Sequence, residues 1–206
     1  MHLISYAQIN VEKISGICGI FLPIVFFTFT GLAILKSPWF SWTQHALSDL
    51  GVQGISAILF NTGTILTGVL AFMFSIGLIL TISNKIGGYI LLFSSFSLLA
   101  IGLFPISTGL LHFYVSATFF ILCTIGFLVI GTTIKKNQFE RKMGIFAIAF
   151  CCIAICSLPL LVIWDGLAIS EILVLFPAII WCMIYGYNML LTYRITNNPN
   201  TPAITG

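Results

Sequence analysis

The 25-residue run Leu110–Ile134, LLHFYVSATFFILCTIGFLVIGTTI, contains no lysine, arginine, aspartate or glutamate, and its one basic side chain is His112. About 20 consecutive apolar residues are enough to carry a helix across roughly 30 Å of hydrocarbon. Working outward from this run, five more stretches of similar character follow from the same rule: Ile14–Leu35, Gln53–Ile82, Ile86–Ser107, Met143–Trp164 and Ile169–Tyr193. A lone apolar segment in lipid satisfies its peptide groups only within itself, so each is expected to be a helix. The expected fold is therefore all-α, a polytopic bundle of six transmembrane helices over 14–193. An interfacial N-terminal segment, 1–13, precedes it, and a polar, proline-broken tail, 194–206, follows as a disordered end.

Composition agrees with that reading. Over 206 residues, 59% are hydrophobic and 6% charged, against roughly 25% charged in an average soluble domain, so the surface cannot be mostly water-facing. The net charge of +3 is small and the basic residues are scattered, which argues against nucleic acid as a partner. All six cysteines fall inside apolar runs without a C-x-x-C pair, as expected of small packing residues rather than a disulfide framework. The first run lacks the basic flank and small-residue cleavage site of a removable signal.

Basic residues also predict orientation. With both termini cytoplasmic, Lys13, Lys85, Lys135, Lys136, Arg141, Lys142 and Arg194 lie inside and Lys36 alone outside, the bias of the positive-inside rule. The expected location is the cell membrane. In that topology the scarce chemical residues collect at the outer face: His45 and Asp49 before the second span, His112 entering the fourth, Asp165 after the fifth and Glu171 opening the sixth. Pro105, Pro159 and Pro177 fall in the outer halves of three spans, where missing helix hydrogen bonds tend to bend a rod and so open a cavity.

The densest cluster is Trp39–Gly51, W-F-S-W-T-Q-H-A-L-S-D-L-G. On a helix, His45 and Asp49 would share a face, where the carboxylate would orient the imidazole. Ser48 reads either as a nucleophile activated by a base or as a cap for the second span. A histidine one turn inside a membrane helix, as at His112, is costly unless it meets a partner or a cavity. Asp165, in W-D-G, is also an ordinary turn residue. The candidate catalytic set is thus His45, Ser48, Asp49, His112 and Asp165. His45, Asp49, His112 and Asp165 would together suit a divalent metal such as zinc.

The elements A-L-S-D-L-G (Ala46–Gly51), L-F-N-T-G (Leu59–Gly63) and G-L-F-P (Gly102–Pro105), with a histidine seven residues after the proline, resemble the prokaryotic six-span family called domain of unknown function 998. The resemblance extends from about Ile14 to Tyr193. More distantly, S-D-L-G looks like the I-S-D-T-G of the DRAM/FRAG-type membrane proteins. It implies a six-helix membrane fold and makes His45, Ser48, Asp49 and His112 family-pattern positions, but supplies no substrate. The outer cluster is also loosely similar to that of the alkaline ceramidase and adiponectin-receptor superfamily, where His, Asp and Ser surround zinc. Six spans and the lack of H-x-x-x-H on the last one depart from that pattern. Two functions follow as expectations: a protein that binds membrane lipid or a small molecule, or serves beside partner membrane subunits, and an intramembrane lipid hydrolase.

Overall fold

The structure, a computed structural model, describes residues 2–134 and 137–196, with side chains over 10–134 and 137–195. Its long helices are α1 (His2–Leu35), α2 (Gly54–Thr81), α3 (Ile86–Leu103), α4 (Leu110–Thr133), α5 (Gln138–Cys156) and α7 (Ala168–Thr196). A single-turn α6 (Leu160–Ile163) follows α5, and two short 3-10 segments lie at Leu47–Gly51 and Ile106–Thr108. With α5 and α6 taken as one span, six helical spans are long and apolar enough to cross a membrane.

Two boundaries differ from the sequence expectation, each for a local reason. Residues 2–13 are helical and run on into α1. The third span ends at Leu103, because Pro105 disfavours helical backbone at Phe104, and the chain turns through Ile106–Thr108 before α4. The fifth span breaks after Cys156, and Pro159 starts α6, a position where its missing N–H costs nothing. Pro105 and Pro159 therefore lie between helices rather than bending one, while Pro23 and Pro177 lie within α1 and α7. The expected tail beyond Thr196 lies outside the described residues.

Neighbouring helices close a ring in the order α1, α2, α3, α4, α5, α7 and back to α1. At its centre Trp181 is fully buried. It stacks on Tyr185 with ring centroids 4.9 Å apart, meets Phe127 edge-on at 5.1 Å, and donates its indole N–H to the Met143 carbonyl at 2.8 Å. That bond gives the one polar atom of a large buried ring its partner. Hydroxyls inside the spans are satisfied locally: Thr64 and Thr67 donate to the carbonyls of Phe60 and Gly63. Ser94 instead reaches across to the Phe119 carbonyl of α4.

Small residues set two close approaches. A Cβ on Gly68 would stand 2.7 Å from the Leu99 backbone nitrogen, so α2 and α3 touch main chain to side-chain-less main chain, the packing that small residues permit in lipid. On α4 and α5, Gly131 and Gly144 face each other, a Cβ on either lying 3.0–3.1 Å from the other's carbonyl. Further along, Phe127 packs on Phe150 at 4.8 Å and the Cys151 thiol points at the Thr124 carbonyl at 3.4 Å. Beyond that level α4 and α5 no longer fill the space between them.

Candidate functional site

The connections α1–α2, α3–α4 and α5–α7 meet at one end of the bundle, because antiparallel neighbours joined by short loops alternate ends. The 3-10 segment Leu47–Gly51 is held there from several sides. Asp49 folds back, its Oδ2 accepting the Ala46 backbone N–H at 2.8 Å. Asn61 of α2 donates to the Gly51 carbonyl at 3.0 Å. The Glu171 carboxylate of α7 accepts the Leu47 N–H at 2.6 Å. Two acidic side chains thus take up adjacent backbone donors of one segment, as carboxylates do for the orphan amides of a helical start.

His112 enters from α4 and is only 6% exposed. Its Nδ1 lies 2.7 Å from the Phe104 carbonyl oxygen, and its Nε2 lies 3.3 Å from the Ser116 hydroxyl one turn on. A carbonyl only accepts, so Nδ1 carries the proton, which in the neutral tautomer leaves Nε2 as the acceptor for Ser116. The cost of a histidine inside the span is offset by these partners, and the ring borders a cavity.

That cavity, of about 670 Å³, occupies the space between α4, α5–α6 and the first turns of α7. Ser48, His112, Ser116, Ser170 and Glu171 lie at or near its end by the loops. Its walls run down α4 through Ala117 and Ile121 to Thr124 and Ile125, opposite Ile155, Leu158 and Leu161. From His112 to Thr124 this is about 18 Å at 1.5 Å per residue. Ile121, Ile155 and Leu158 are each more than half exposed, so the cleft opens sideways on the bundle's outer, lipid-facing surface. Ser48 is 7% exposed and its hydroxyl makes no hydrogen bond within the described residues.

Of the residues singled out from sequence, Ser48 and His112 line this cavity, and Asp49 braces the segment carrying Ser48. His45 and Asp165 do not line it. The expected His45–Asp49 pair does not form, because the helical turn starts at Leu47 and Asp49 is committed to the Ala46 amide. His45 lies in the preceding loop, where Nδ1 accepts the Ser41 N–H at 3.1 Å and the ring packs between Trp39 and Phe40. Its backbone carbonyl accepts the Ala168 N–H, while Gly166 donates to the Thr43 carbonyl. A Cβ on Gly166 would collide with the His45 backbone, so the glycine of W-D-G seats that loop and the exposed Asp165 beside it does not. Ser48 is not a cap for α2, which starts from Gln53. Among the described residues no three His, Cys, Asp or Glu side chains gather closely enough to hold a metal ion, and the four expected ligands do not surround a common point.

Two participants carried weaker sequence signals. Ser116 stands at i+4 from His112, legible by the same spacing argument applied to His45 and Asp49. Glu171 was explicable as an acid at a helix start, and nothing in sequence points from it to Leu47.

These features define a six-span helical membrane protein whose loop-end segment is tied to the last helix beside a lateral cleft. The chain belongs to DUF998, a family of proteins of unknown function, whose model matches residues 20–188. No curated protein and no solved structure matches it. The family-pattern residues found in the sequence make specific links: Asn61 of F-N-T-G bonds Gly51 of S-D-L-G, and His112 bonds Phe104 of L-F-P.

Proposed function

We propose that this protein binds an amphiphile from the membrane, its chain in the α4–α5 cleft and its polar end at Ser48, His112 and Glu171. The observation that supports the reading is the polarity gradient of one cavity: aliphatic walls over three helical turns, open to the side, with polar groups concentrated toward one end. A volume of about 670 Å³ is within the range of small-molecule sites. By the positive-inside bias both termini are cytoplasmic and the cleft lies in the outer leaflet of the cell membrane.

The test is photolabelling of the purified protein with a hexadecanol analogue carrying a diazirine in its chain. Crosslinks are expected on the facing walls of α4 and α5, and Ala117→Trp, which fills the cleft, should remove most of them from a protein that remains folded. Labelling that is absent, or unaffected by Ala117→Trp, refutes the reading. A hydrolytic role is favoured by one contact, the Ser116 hydroxyl at His112 Nε2, where a base would activate a nucleophile. Fluorophosphonate labelling lost in Ser116→Ala would support it, and a wild-type protein that is not labelled would dismiss it.

A further inference from the structure

The geometry points to a ligand with a cationic amino head: a long-chain primary amine rather than an alcohol, a fatty acid or a phosphate-headed lipid. This rests on the cleft being an amphiphile site and names the chemistry of its polar end.

The residues lining the cleft include no lysine and no arginine, and Glu171 is the one carboxylate among them. Glu171 has no ion pair among the described residues; its Oε2 takes the Leu47 N–H, and no hydrogen bond from the chain reaches Oε1. Asp49, bound to the neighbouring Ala46 amide, adds a second negative charge behind the same segment. A half-buried carboxylate without a cation is an incomplete arrangement, since charges removed from water are ordinarily paired. The start of α7 supports the charge but leaves the oxygen open.

Ser48 supplies the independent observation. The residue is more than nine-tenths buried and borders the cleft, and its hydroxyl has no partner among the described residues. Ser116 donates to His112 Nε2 and keeps its own oxygen as an acceptor, so the polar end offers three: a carboxylate oxygen and the hydroxyl oxygens of Ser48 and Ser116. A primary ammonium carries three N–H donors and no acceptor, matching that set in number, in direction of donation and in charge. An alcohol offers one donor and no charge. A carboxylate or phosphate would meet Glu171 with like charge and would find no basic side chain.

The experiment is competition against the same diazirine-bearing hexadecanol probe, in a neutral detergent at pH 7, by hexadecylamine, hexadecanol and hexadecanoate. Hexadecylamine is expected to displace the probe at a concentration at least tenfold lower than hexadecanol, with hexadecanoate weakest. Glu171→Gln keeps an acceptor for Leu47 and should bring amine and alcohol to within about twofold. Should Glu171→Gln not fold, Ser48→Ala serves instead and should reduce the amine's advantage by at least threefold. Equal displacement by all three competitors, or an amine preference undiminished in the variant used, overturns the amine assignment while leaving the cleft as an alkyl site. Loss of labelling in the wild type refutes the cleft reading itself.

Discussion

Leu47 and Glu171, 124 positions apart, are joined by a hydrogen bond of 2.6 Å from backbone amide to carboxylate. This single contact fixes the segment before α2 onto the start of α7, and so sets the height of Ser48 over the cleft. Hydrogen bonds to charged groups contribute about 1.5–3 kcal/mol. Glu171→Ala should therefore lower the unfolding temperature in detergent clearly more than Glu171→Gln, which retains an acceptor. Identical melting of the two variants would show that the bond does not hold the segment.

Packing of α2 on α3 gives a second expectation. A Cβ at Gly68 meets Leu99 backbone, which cannot rotate away, whereas one at Gly31 of α1 meets nothing within 4 Å. Overpacking typically costs about 1–3 kcal/mol, so Gly68→Leu should insert but melt earlier than the parent. Gly31→Ala should be neutral or slightly stabilising, by up to about 1 kcal/mol from helix propensity. Melting curves of both variants in one detergent decide it, and an unchanged Gly68→Leu would place that face against lipid.

In W-D-G the sensitive position is the glycine. Gly166→Val forces the 163–168 loop off the His45 backbone and should destabilise the protein by more than 1 kcal/mol. Asp165→Asn, at an exposed position outside the cleft, should stay within about 0.5 kcal/mol and leave probe labelling unaltered. A large loss of labelling in Asp165→Asn would instead return that residue to the site.

Orientation is testable in intact cells. Ser41→Cys, in the aromatic loop before the 3-10 segment, should react with a membrane-impermeant thiol reagent, and Asn137→Cys, at the start of α5, should not. The opposite pattern would invert the bundle and place the cleft in the inner leaflet.

The spans were legible because lipid imposes one rule on every backbone group, and that rule needs only a count of apolar residues. His112 and Ser48 were legible because polar groups are scarce in this chain. His45 and Asp49 were misjoined: the i, i+4 rule holds only inside a helix, and the turn here begins two residues after His45. Asp165 drew attention as a charge, while the neighbouring Gly166 makes the structural contact. Glu171 and Leu47 could not be matched in advance, since a backbone amide carries no sequence signature. A cavity was expected from bending at Pro105, Pro159 and Pro177, but not its place beside the end of α5 at Cys156.

Gly131 and Gly144 press α4 and α5 together at the end away from the loops, and toward the loop end the cavity lies between them. The two are laid out like the arms of tweezers, with the glycine pair at the closed end. Between Gly131 and His112 α4 rises about 28 Å, so a rotation of only about 5° at that end moves its far end by about 2.5 Å. Such a swing would keep the hydrogen bonds within the helix but would work against the ties of α4 to its other neighbour, Ser94 to the Phe119 carbonyl and His112 to the Phe104 carbonyl.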